Sequence, residues 1–326
     1  MFQIDIIIWL HSLRSPALTW CLSTVSFLGY TPVYAALILV FAFGIRLRPS
    51  LAVFLGLLLA GILTNTLKTG LALPRPSDIH ARAGEPGDGI PPIAVVEQGA
   101  APSFWALPTS EAIAAARGRP ETSYGFPSGH VSSAAVFFLG VALFFRSRYS
   151  LLFAIFWIPL MGISRMYLGR HFLADVLGGV TVGVVGVLAA ALLLRPFVVH
   201  QPHRPTRRAA LVPLVVVSLL LLLVTPFVSI LDAENVGRLV GLVIAYVVLA
   251  ATDLPFDNGS IWQRLGRVLI AFAIGIAMSQ STGAFFAAAG WEDTRLGALA
   301  AAALVTAATL AGTVAVSPRL RLCVAA

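Results

Sequence analysis

Residues 209–230 and 296–316 pass without a single charged side chain, and seven further apolar runs lie at about 27–45, 49–67, 126–145, 149–165, 174–194, 238–252 and 266–288. A hydrocarbon core about 30 Å thick needs roughly 20 apolar residues per helical crossing, and these runs approach or reach that length. None alternates polar and apolar at every second position, as a strand of a membrane barrel must, so the runs predict helices. Only 11% of the chain is charged, against about 25% in soluble domains, which excludes an ordinary water-soluble fold. The expectation is an all-α, polytopic transmembrane bundle of nine spans. Residues 1–26 are apolar but broken by His11, Arg14 and Pro16, and predict one or two helices lying at the interface or entering the membrane partway.

The formal charge of +8 does not point to nucleic acid, because the arginines cluster in short turns between spans. Arg46, Arg48, Arg146, Arg148, Arg195, Arg204, Arg207 and Arg208 occupy alternate turns with no acidic residue, which assigns that face to the cytoplasm. The opposite face carries the 68–125 stretch, where Asp78, Glu85, Asp88, Glu97, Glu111 and Glu121 outnumber five basic residues. Arg319 and Arg321 then place the C-terminus inside. Residues 77–123, rich in Pro, Gly and Ala, read as a long irregular external loop, a lid or a disordered stretch, since loops of that length are usually functional or disordered. Residues 199–208 read as a cytoplasmic linker between a front part, 1–198, and a C-terminal extension, 209–326. Cys21 and Cys323 stand alone, without the spacing of a metal site or a disulfide framework. The opening stretch MFQIDIIIWLHS lacks a basic leader and a small-residue cleavage site, so no cleaved signal is expected.

Three polar clusters fall at one membrane level under this topology. Lys68, the one lysine in the chain, leaves the second span with Arg75 following it in LKTGLALPRP. Pro74 should bend the chain before Arg75 and let the two cations approach one ligand from different directions. YGFPSGH, 124–130, starts the next span on the same face. The stretch from His130 to Ser164, broken midway by an arginine turn, forms one hairpin that returns SRMYLGRHFLAD, 164–175, to that face. Lys68, Arg75 and Arg165 together call for an anion, and arginine's planar fork suits phosphate oxygens. Ser128 and the backbone at Gly129, at a helix start, can hold an oxyanion. His171 and Asp175, four apart, share a helical face, so the carboxylate can orient the imidazole as nucleophile or base, leaving His130 to protonate a leaving oxygen. Singly, each cluster has a plainer reading: a cation that snorkels to the interface, a capped helix start, an interfacial hydrogen-bonded pair. Their common side is what favours a joint site.

The three clusters, K-x6-RP at 68–76, PSGH at 127–130 and SR-x5-H-x3-D at 164–175, resemble in order and spacing the signatures of the type 2 phosphatidic acid phosphatase superfamily. That superfamily includes bacterial lipid phosphate phosphatases, undecaprenyl pyrophosphate phosphatases, glucose-6-phosphatases and soluble vanadium haloperoxidases. The resemblance covers roughly residues 1–198, a core of five to six spans, and leaves about four C-terminal spans without a counterpart. It implies a phosphatase that uses neither metal nor cofactor. Lys68, Arg75, Ser128, Gly129 and Arg165 would hold the phosphate, His171 would attack phosphorus, Asp175 would orient it, and His130 would protonate the leaving group. The implied partners are a lipid phosphate and the bilayer, with no nucleic acid and no obligatory protein. Leading substrates are undecaprenyl pyrophosphate, phosphatidic acid and phosphatidylglycerol phosphate, met at the extracytoplasmic face of the plasma membrane. A lipid phosphotransferase with a polyprenyl pyrophosphate donor, a sugar-phosphate phosphatase, and a phospholipid-binding transporter or scaffold stay open beside it. The last of these has no need of His171.

Overall fold

The computed structural model describes residues 1–79, 99–118, 123–198, 211–251 and 258–323. The expected linker 199–208 lies outside them, as do Glu85, Asp88, Glu97, Glu121, Arg204, Arg207, Arg208 and the side chain of Arg195. Among the described residues the secondary structure is helical throughout, with no strand.

The N-terminal stretch forms two short helices, α1 (Asp5–Ser12) and α2 (Pro16–Phe27). Ser15 caps α2 by accepting from Leu18 N at 3.3 Å. Pro16 sits at the first helical position, where its missing N–H costs nothing. Next come α3 (Thr31–Val40), which widens into a π turn at Phe41–Ile45, then α4 (Leu47–Leu71) and the single turn α5 (Pro76–Ile79). The helix stops at Leu71, ahead of Pro74, and Ala72 takes a φ of 47°, but the break is not a sharp bend, since Leu47–Ile79 together run as one apolar span. α6 (Ser110–Arg117) is a helix inside the stretch that the sequence predicted as irregular. Its cause is local: Thr109 accepts from Ala112 N at 3.3 Å, and the alanine-rich SEAIAAAR that follows favours helix. The remaining helices are α7 (Gly129–Phe144), α8 (Arg148–Tyr167), α9 (Leu173–Val198), α10 (Val212–Val224), α11 (Ala233–Ala251), α12 (Ile261–Ala288) and α13 (Arg295–Arg319).

Each of the nine expected spans coincides with a helix, but fewer are long enough to cross alone. Leu47–Ile79, Arg148–Tyr167, Leu173–Leu194, Ile261–Ala288 and Arg295–Arg319 have the length and apolarity to do so, and the bent pair Pro16–Phe27 with Thr31–Ile45 makes a sixth if counted as one span. α7 and α10, at 16 and 13 residues, are apolar but shorter. At 1.5 Å per residue, α10 extends only about 20 Å. These helices make a multi-pass membrane protein.

The chain divides into two compact units. The first comprises Met1–Val33, Leu63–Leu139 and Arg148–Val185, and contains every candidate site residue. Within it α2 and α1 pack on α8. Arg14 bridges the α1–α2 turn to the end of α8, with a guanidinium nitrogen 2.9 Å from His11 Nε2 and a 3.4 Å bond to Tyr167 O, while Thr19 Oγ1 lies 2.7 Å from the Tyr167 hydroxyl.

The second unit comprises Tyr34–Ile62, Gly140–Ser147 and Gly186–Ala326. α13 is the main neighbour of both α11 and α12, and α12 also packs against the π turn. Two arginines of α12 secure that last contact. Arg267, 1% exposed, donates through Nε to Phe43 O at 3.0 Å and through Nη1 to Asn258 O at 2.8 Å and Leu322 O at 3.2 Å. Arg264 donates to Gly44 O at 3.2 Å. Carbonyls at a helix end lack intrahelical donors, and these guanidinium groups supply them. An Arg267→Leu variant should lose about 2 kcal/mol or more, because each buried carbonyl stripped of its donor costs about 1–3 kcal/mol. A lowered midpoint of thermal unfolding in detergent is the expected result; an unchanged midpoint would show that the bonds contribute nothing.

Candidate active site

The site is built where four chain segments meet in the first unit. Ser128 stands at the head of α7, with its carbonyl accepting from Ser132 N at 3.0 Å, so the first amides of α7 have no intrahelical acceptor. The Phe126–Pro127 peptide is cis. Ser128 N donates to Asp175 O at 2.9 Å, which fixes the PSGH turn to the start of α9. On the other side Gly125 N donates to Leu73 O at 2.8 Å. A side chain at Gly125 would put its Cβ 2.8 Å from Pro74 O and 3.0 Å from Asp175 Oδ2, so only glycine lets this part of the loop lie between the α4–α5 turn and α9. Thr64 Oγ1 and Ser132 Oγ, 3.2 Å apart, join α4 to α7 below the site.

Each cation donates to at least one neutral oxygen. Lys68 Nζ, in the last turn of α4, donates to Tyr124 O at 2.6 Å and Gly125 O at 3.2 Å. Arg75 donates to Ser123 Oγ at 2.7 Å, and its own backbone N–H is held by Asp78 Oδ2 at 2.7 Å. Arg165, buried in the last turn of α8, donates to Ser26 Oγ on α2, one turn from Leu22 O, which accepts from Ser164 Oγ at 2.7 Å.

His171 follows α8 in the short connection to α9 and is 2% exposed; Asp175, in the first turn of α9, is fully buried. His171 Nδ1 lies 3.3 Å from Asp175 Oδ2, which also accepts from Phe172 N at 2.9 Å, so the carboxylate is fixed by the backbone beside the ring it orients. Burial, followed by the charges of Lys68, Arg165 and Arg75, holds the His171 imidazole well below its ordinary pKa, with His130 adding to the effect. A neutral imidazole with one nitrogen turned to a carboxylate has its other nitrogen available as a nucleophile. Three buried atoms complete the picture: Ser128 Oγ, His130 Nε2 and Asp175 Oδ1 have no hydrogen-bond partner among the described residues. Buried polar atoms without partners are uncommon, and these three belong to the same set of three motifs as the cations.

The sequence model of the PAP2 superfamily matches residues 49–199. Residues 49–199 are a PAP2 superfamily region. A 74-residue stretch is also 40% identical to phosphatidylglycerophosphatase B of Bacillus subtilis (strain 168). That stretch is 20% of this chain and 36% of the relative, so the likeness spans about a third of the relative's length. No solved structure matches. Lys68, Arg75, Ser128, Gly129, His130, Arg165, His171 and Asp175 all fall inside the family match, whereas α1, α2, α3 and α10 to α13 fall outside it.

The motif residues stand together, and the sequence missed their supports: Ser26, Ser123, and the carbonyls of Tyr124 and Gly125. Ser26 left one trace, as a polar residue on the buried face that Leu22 and Val25 define in α2. Lys68 separates charge from geometry in a test. Lys68→Gln removes a charge that keeps His171 neutral, so the His171 pKa rises toward its ordinary value of about 6.5 and the acid limb of kcat/KM moves to higher pH. Lys68→Arg keeps the charge and the limb, but the larger fork loses the seat between the two carbonyls, and kcat drops by about a hundredfold. Unchanged pH profiles and rates in both variants would contradict this placement.

Proposed function

We propose that this chain is an integral membrane phosphatase that hydrolyses a lipid-linked phosphate or pyrophosphate through a phosphohistidine on His171. The observation that carries the reading is a buried His171–Asp175 pair surrounded by three cations, beside the unsatisfied Ser128 Oγ and His130 Nε2. The cations do for the phosphate what a metal ion does elsewhere, namely stabilise charge on its oxygens, so the reaction asks for no metal and no cofactor. The likeness to phosphatidylglycerophosphatase B supports phosphatidylglycerol phosphate first among the substrates, with phosphatidic acid and undecaprenyl pyrophosphate next. Residues 1–198 serve as the catalytic core, 199–208 as linker and 209–326 as an extension. The site faces the extracytoplasmic side, in keeping with the arginine distribution among the turns.

Lys68, Arg75, Arg165, Ser128 and the Gly129 amide hold the phosphate oxygens. The Nε2 lone pair of His171 forms the N–P bond as the bond from phosphorus to the leaving oxygen breaks. The released electron pair goes to that oxygen, which takes a proton from His130. Water then attacks phosphorus and gives its proton to His130, while the P–N electron pair returns to His171 and inorganic phosphate leaves. Asp175 holds the ring in one orientation and stabilises the charge it carries between the two steps.

Purified full-length protein in detergent, with EDTA, tests this against phosphatidylglycerol phosphate, phosphatidic acid, undecaprenyl pyrophosphate and glucose 6-phosphate. Phosphate release from a lipid substrate should survive chelation and fall by on the order of a thousandfold or more in His171→Ala. No turnover of any of the four would favour a phospholipid-binding role, and full activity in the variant would remove His171 from the chemistry.

A further inference from the structure

The break between α2 and α3 touches the site in two places. The two helices meet at a bend of 60° across Leu28–Tyr30. On its α2 side, Ser26 Oγ receives the Arg165 guanidinium, and Ser26 O accepts from Gly29 N at 2.9 Å, so the elbow is tied to the residue that holds one of the cations. On its α3 side, the Tyr30 ring meets the His130 ring edge to face, with centroids 4.7 Å apart and planes at 70°. Gly29 closes the gap between them: a Cβ built there would lie 2.5 Å from His130 Cδ2 and 3.0 Å from His130 Cβ. Tyr30 is also within electrostatic reach of Arg75. Tyr30 is itself 50% exposed, and its other side meets Phe27 at 6.2 Å between centroids.

A proton donor has to bring its nitrogen to about 2.6–3.2 Å from the oxygen it serves, and rotation of an imidazole about its Cβ–Cγ bond moves Nε2 by more than that window. His130 Nε2 has no partner among the described residues, so no hydrogen bond at that atom sets the ring plane. Two contacts that can set it are the Tyr30 ring and the close-fitting Gly29. We infer that the α2–α3 elbow is the positioning element for the leaving-group side of the site, with Tyr30 and Gly29 fixing the ring of His130. The inference rests on the proposed phosphatase reading and extends the working site into a segment that the family match does not cover.

A double-mutant cycle in the full-length protein separates positioning from general support. Measured with whichever lipid phosphate the wild type hydrolyses, Tyr30→Ala should lower kcat by about tenfold to a hundredfold with KM changed little, because general acid catalysis is worth about 10²–10⁴. Tyr30→Phe keeps the ring and should recover most of that loss, and Gly29→Ala should resemble Tyr30→Ala. In a His130→Ala background, Tyr30→Ala should cost no more than about twofold further, since the residue it acts through is gone. Equal losses from Tyr30→Ala with and without His130, or a wild-type kcat in both Tyr30→Ala and Gly29→Ala, would overturn the inference while leaving the phosphatase reading in place. A wild-type protein that hydrolyses no lipid phosphate would overturn that reading, and the inference with it.

Discussion

Crowding of like charge around His171 is the constraint that the rest of the first unit has to satisfy. Lys68, Arg75 and Arg165 all act on one buried imidazole, and mutual repulsion would drive such a group apart if the backbone did not hold it. Neutral oxygens are among the holding contacts: two carbonyls for Lys68, a serine hydroxyl for Arg75, another for Arg165. Oxygen dipoles of this kind orient a cation without cancelling its charge. Asp175 is the carboxylate set against His171, and its Oδ2 is committed to the ring and to Phe172 N. Under the proposed reading, a bound phosphate relieves this repulsion, so that binding energy is directed at charge on its oxygens.

Each cation also comes from a different element, so the geometry depends on packing among α2, α4, α7, α8 and α9. The PSGH turn is fixed from both sides, to Asp175 O and through Gly125 to Leu73 O. Arg165 reaches the site from α8, and α8 is tied to the N-terminal helices through Ser164, Arg165 and the Arg14–Tyr167 contacts. The short α1 and α2, which the sequence predicted as helices at the interface or partway into the membrane, therefore buttress the end of α8 from which the connection to His171 runs.

The motif residues were legible because their chemistry is unusual in an apolar chain: a lysine among arginines, a histidine four before an aspartate, a serine at a helix start. The helix positions were legible from runs without charge, as with 296–316 and α13. What tertiary contact alone decides was not. Ser26 and Tyr30 look like ordinary residues of an apolar helix and a turn, and become informative only once α2 is seen against α8 and α7. The 110–117 helix was hidden inside a Pro- and Gly-rich stretch, where the local alanine run and Thr109 cap outweighed the surrounding composition. The π turn at Phe41–Ile45 has no periodicity of its own in the sequence; its end carbonyls acquire meaning from Arg264 and Arg267, far along the chain.

In the proposed reaction phosphorus passes through a covalent bond to His171. Rapid quenching of the full-length protein during turnover of a lipid substrate labelled with radioactive phosphate, followed by digestion and mass spectrometry, tests it directly. The account predicts label that is stable to alkali, lost in mild acid, located on the peptide containing His171, and increased in His130→Ala if the proton transfers of the second step are slowed more than those of the first. Turnover with no label on that peptide under any quench time, or label on a different residue, would contradict it.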